Sequence, residues 1–133
     1  MATSRNGQAD THLSRVLRGY AEAGNAHDID AMISFFAAGC EFYSSTGPEI
    51  SGTRYSGSEE VRESLRLVLR TCPDGQWRNL RYFVSEDRGV IEWTFTGTTP
   101  GGSTIEVNGC DLITFNDGKI SIKDSYRKQR NAS

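Results

Sequence analysis

At Gln76 the spacing of apolar residues changes from one every three or four positions to one every two. A helix buries a stripe that repeats about every 3.6 residues and a half-buried strand one that repeats every second residue, so helices are expected before this point and strands after it. Over 11–24, Leu13, Val16, Leu17 and Tyr20 form a helical stripe with Tyr20 on the buried face. Asp28 is placed to cap a short second helix with Ile29, Met32, Ile33 and Phe36 inward and Gly39 at its end. Residues 40–45 read as a strand. The turn-rich stretch STGPEISGTRYSG follows, then a candidate capping box at Ser56-Gly-Ser-Glu59 and a third helix with Val61, Leu65, Val68 and Leu69 on one face. Glu59/Arg62 and Glu63/Arg66 are i, i+3 ion pairs on its wet side. Pro73-Asp74-Gly75 stops it.

From Gln76 onward, turn signals at 86–89, 100–102 and 116–118 separate four strands expected to pair antiparallel in succession. Their apolar rows are Leu80, Tyr82 and Val84, then Ile91, Trp93 and Phe95, then Ile105, Val107, Ile113 and Phe115. The order ααβαββββ implies an α+β fold, a strongly bent antiparallel sheet over three helices that forms a cone-shaped half-barrel with a pocket inside. A chain of 133 residues suits one domain over 1–133, with 1–9 expected to be disordered and 129–133 a frayed tail.

The charge balance, 15 Lys+Arg against 17 Asp+Glu, supplies no basic face for phosphates, which argues against a nucleic-acid partner. Cys40, Cys72 and Cys110 have no metal-ligand spacing, His12 and His27 are isolated, and no phosphate-binding glycine loop occurs, so neither metal nor cofactor is expected. No long apolar run suggests a membrane span or leader, and the expected location is cytoplasmic.

Asp111 interrupts the apolar row that runs from Ile105 to Phe115. An ionised carboxylate buried without partners costs several kcal/mol. It is therefore a structural aspartate held by backbone N–H groups, a side chain turned outward by a bulge at Gly109, or an acid in a solvated cavity, and the last reading is favoured. On the final strand Ile120, Ile122, Asp124 and Tyr126 alternate with Ser121, Lys123, Ser125 and Arg127. A two-residue loop at Asp117-Gly118 would set Asp124 opposite Asp111, as an acid pair sharing a proton. A three-residue loop would set Lys123 there, as an ion pair. Both registers stay open at this level. Phe42, Ser44, Tyr82, Trp93, Phe95, Ile113 and Tyr126 are the candidate pocket lining.

The stretch GCDLITFNDGKI, from Gly109 to Ile120, is similar to the G-x-D-x-x-x-F-x-D-G-K-I hairpin of SnoaL-like polyketide cyclases. Tyr20 followed by Asp28-Ile29-Asp30 resembles the helical part of ketosteroid isomerases. Over about 13–128 the chain thus resembles the nuclear-transport-factor-2-like superfamily, which also holds scytalone dehydratase and limonene epoxide hydrolase. The resemblance implies that Tyr20 donates to a substrate oxyanion. It makes Asp111 either the protonated partner acid of isomerases or the acid/base of cyclases. At the isomerase base position stands Ser44, a departure, and the arginine of the epoxide hydrolase pattern has no inward counterpart. The implied activity is cofactor-independent cyclase or isomerase chemistry on a small apolar carbonyl compound, with Asp111, Tyr20 and Asp124 as the catalytic set. The alternative is a non-catalytic ligand-binding or dimerisation module. Cys110, Leu112 and Thr114 on the outer sheet face would suit a homodimer.

Overall fold

The computed structural model describes residues 11–131, so the expectation of disorder over 1–9 lies outside the described residues, as do 132–133 of the tail. Helix α1, His12–Asn25, starts at a capping box in which Thr11 Oγ1 accepts from the Ser14 backbone and Ser14 Oγ from that of Thr11. Its stripe buries Val16, Leu17, Tyr20 and Ala21. Asp28 caps α2, Ile29–Ser34, through a 3.0 Å bond from the Ala31 backbone. This helix is shorter than expected. Phe36 opens strand β1, Phe36–Tyr43, because its ring is buried beside Tyr20 and its backbone pairs with Ile120.

Strand β2, Arg54–Ser56, is hidden in the sequence among turn formers, since three residues carry no periodic signal. It pairs antiparallel with β1, stacking Tyr55 on Phe42, and Arg54 bonds Glu41 at 2.8 Å. Helix α3, Ser58–Thr71, has Gly57 at its cap with no side-chain bond, and Glu60 instead reaches the Ser56 backbone at 2.8 Å. The Glu63–Arg66 pair forms, whereas Arg62 turns to Asp30.

Strands β3, Gln76–Ser85, β4, Arg88–Thr98, β5, Thr104–Asn116, and β6, Lys119–Arg127, form the expected antiparallel run. The sheet order is β2-β1-β6-β5-β4-β3, with β1 and β6 parallel and every other pair antiparallel. The result is the α+β half-barrel, curved over three helices and unclosed. Ile91, Trp93 and Phe95 of β4 meet Leu17, Val61 and Leu65 of the helices in one core. Among the described residues, no helix is long and apolar enough to cross a membrane.

Candidate active site

The β5–β6 hairpin decides which polar side chains enter the cone. Its turn is the two-residue one, with Asp117 and Gly118 both at positive φ (51° and 77°) and Asn116 opposite Lys119. Phe115 then faces Ile120, but Thr114 faces Ile122, so Ser121 is an extra residue, a bulge whose Oγ donates to the Thr114 carbonyl at 3.0 Å. One extra residue inverts the facing of everything beyond it. Asp111 lies opposite Ser125 and Ile113 opposite Lys123. Neither sequence register survives: the loop length of the first holds at the turn, and the bulge then replaces its inward Asp124.

Asp111 is 5% exposed, and both of its oxygens are bonded by side chains. Trp93 Nε1 donates to Oδ2 at 3.2 Å and Ser125 Oγ to Oδ1 at 2.5 Å. Each oxygen of Asp111 thus accepts from one side chain. A structural aspartate tied up by backbone N–H groups is not what is found. Gly109 makes the Trp93 bond possible. The two residues are cross-strand partners, and a Cβ on Gly109 would overlap the Trp93 ring and lie 2.5 Å from the Tyr126 carbonyl oxygen.

Lys123 is the buried cation of the site. Its ammonium sits 4.2 Å from the centroid of Phe42 and 5.6 Å from that of Tyr20. Burial alone drags this ammonium down, but the Asp111 charge and Tyr20 outweigh it and hold the lysine above its ordinary value. Burial raises the Tyr20 hydroxyl above the usual phenol range; Lys123 opposes that shift and Asp111 adds to it. At neutral pH the site therefore presents a cation and a neutral phenol beside Asp111.

Two spaces meet at this cluster. A cavity of about 890 Å³ opens between the sheet, α3 and the tail 128–131, with Phe42, Trp93, Phe95, Asp111 and Lys123 in its wall and Ser44 on its lining near the end of β1. Behind it lies a chamber of about 40 Å³ bordered by Tyr20, Met32, Trp77, Asp111 and Lys123. Asp111 and Lys123 thus border both spaces, and Tyr20 only the inner one.

The other expected residues fall elsewhere. Asp124 lies opposite Leu112 on the outer face and accepts from Tyr126 Oη at 3.3 Å; partial burial raises its carboxyl, which that bond opposes. Tyr126, at 54% exposure, is outside the cone for the same reason of parity. Tyr82 and Ile113 are buried in the core and line neither space. Ser125 was the residue missed, and Lys123 was expected near Asp111 only through a three-residue loop, whereas the bulge at Ser121 brings it to the same face opposite Ile113. The trace of Ser125 in the sequence is the polar row Lys123, Ser125, Arg127, which the two-residue register assigns to the outside. Among the described residues, no group of three or more His, Cys, Asp or Glu is placed to hold a metal ion.

The SnoaL-like domain model matches residues 17–122, which include every element from α1 to the start of β6. Solved structures repeat the same fold. A polyketide cyclase candidate from Xanthomonas campestris pv. campestris has 22% identity and a TM-score of 0.77, over 86% of this chain and 89% of its own. An NTF2-like protein of unknown function from Burkholderia pseudomallei has 17% identity and a TM-score of 0.78, over 90% and 92%. TerC, crystallised with polyporic acid, has 18% identity and a TM-score of 0.75, over 89% and 92%. No curated protein matches the chain. With Asp111, Tyr20 and the Gly109–Ile120 stretch all inside the matched span, the chain belongs to the SnoaL-like domain family.

Proposed function

We propose that the chain catalyses proton transfer beside a carbonyl group of a small substrate held in the cone, as an isomerase or cyclase that needs no cofactor. The observation that carries this is the convergence of buried Asp111, Lys123 and Tyr20 where the 890 Å³ cavity meets the inner chamber. Asp111 takes a proton from the carbon next to the carbonyl, and the electron pair moves onto the oxygen. Lys123 and Tyr20 hold that oxyanion, a cation and a donor aimed into a water-poor site. Asp111 then returns the proton at another carbon, or the enolate carbon attacks a second carbonyl, closing a ring, and Asp111 gives its proton to the alkoxide that forms. Ser44 cannot act as the base, so the acid/base work falls to Asp111. TerC, which shares the fold, was crystallised with polyporic acid, and this supports a small-molecule ligand for the chain.

The test is α-proton exchange of 2-tetralone in D₂O, followed by NMR with wild type and Asp111→Asn. The expected result is protein-dependent exchange that Asp111→Asn abolishes while its circular dichroism stays unchanged; undiminished exchange in that variant sinks the assignment. One observation favours a second reading. Tyr20 borders only the small chamber, as it would in a non-catalytic binding module that uses Lys123 to hold a ligand. Ligand binding without any exchange in wild type would select that reading.

A further inference from the structure

Beyond the bulge, the cavity-side row of β6 is Lys123, Ser125 and Arg127, and the first two are already committed, Lys123 over the Phe42 and Tyr20 rings and Ser125 to Asp111. Arg127 is not. It sits opposite Gly109, its guanidinium lies 5.5 Å from the centroid of the Phe95 ring, and it lines the 890 Å³ cavity. It makes no ion pair among the described residues. The cavity wall carries Lys123, Arg127, Lys128 and Arg130 against Asp111 and Glu106, an excess of two positive charges on a chain whose net charge is -2. Arg130 is fastened to the Glu106 carbonyl at 3.2 Å, which holds the tail across this wall. Such a charge distribution concentrates anions in the cleft.

Resting on the reading of the cavity as a substrate site, we infer that Arg127 binds a carboxylate on the substrate. The guanidinium is the planar fork that suits a carboxylate, and its seat on Phe95 leaves its edge available. Arg127 stands two residues beyond Ser125, the partner of Asp111. At about 3.3 Å per residue the two strand positions are roughly 7 Å apart, and the seat of the guanidinium on Phe95, opposite Val107, carries it further from Asp111, so the substrate is at least a fused two-ring skeleton long. The walls between, Trp93 and Phe95, are aromatic. The substrate class is therefore a planar cyclic carboxylate, anchored at Arg127 and reacting at Asp111.

The test uses the full chain with 2-naphthoate and its uncharged isostere 2-naphthamide, read by tryptophan fluorescence and calorimetry. Wild type should bind naphthoate about tenfold more tightly than naphthamide, the value of one charge-assisted contact. Arg127→Gln should erase the preference and Arg127→Lys keep part of it, because the charge remains while the fork is lost. Equal affinity in wild type, binding of neither probe, or a preference that survives Arg127→Gln overturns the inference. Asp111→Asn should retain the preference. A preference without tetralone exchange therefore fails the catalytic reading alone, and exchange without a preference fails this one alone.

Discussion

Asp111 and Asp124 are the same residue type on neighbouring strands, one position out of register, and the fold treats them as opposites. Asp111 points into the cone, 5% exposed, gripped by Trp93 and Ser125 and facing the charge of Lys123. Asp124 points away from it, with Tyr126 as its partner. The difference teaches that chemistry on a sheet is allotted by parity. A carboxylate becomes a candidate acid/base only on the face where burial and a buried cation make its charge useful, and a single bulge chooses that face.

The most severe way to break the comparison is to neutralise each acid in turn. Asp111→Asn should lower tetralone exchange by about a hundredfold or more, the usual share of a general base, whereas Asp124→Asn should leave the rate unchanged. Equal losses would end the distinction. Next in size is the cation. Lys123→Met removes the charge that faces buried Asp111 and should cost about 1–3 kcal/mol in urea unfolding, with part of the loss recovered in the double variant Asp111→Asn, Lys123→Met. A cost within about 0.5 kcal/mol, the range of a surface substitution, would show that the pair is not coupled.

Gly109→Ala should cost about 1–3 kcal/mol by overpacking Trp93, and it should move the tryptophan emission as the Nε1 bond to Asp111 is lost. The smallest effect is in pH. Tyr20 and Lys123 both have folded-state values raised above 10.0 and 10.5, so the native state keeps these protons longer than the unfolded chain. Their contribution is intact below the ordinary values and is lost as pH climbs through the folded ones. The urea midpoint should therefore fall more steeply above pH 10 in wild type than in Tyr20→Phe, Lys123→Met; parallel curves would contradict the burial argument.

Most of the architecture was legible because it is written in period. The stripe of α1, the rows of β3 to β5 and the place of the hairpin turn all follow from local spacing and turn chemistry, while the choice between two and three loop residues did not. Strand β2 was not, since three residues in a turn-rich loop acquire strand geometry only by pairing with β1. The parallel pairing of β1 with β6 joins segments far apart in sequence, and no local pattern encodes it. For the site, Asp111 and Tyr20 were visible as polar tips on apolar faces. Asp124 and Tyr126 were misplaced by trusting strict alternation through Ser121.

What the sequence determined by itself is the inventory: an α+β order, a hairpin turning at 116–118, and a carboxylate set in a row of hydrophobes. Local propensity and periodicity act over a few residues, and those features need nothing more. Which side chains answer that carboxylate was decided only in three dimensions. The bulge at Ser121 depends on how β6 fits between β1 and β5, and that fit turns Lys123, Ser125 and Arg127 inward. The electrostatic character of the cone is thus a property of packing, settled by one residue without a partner in the ladder.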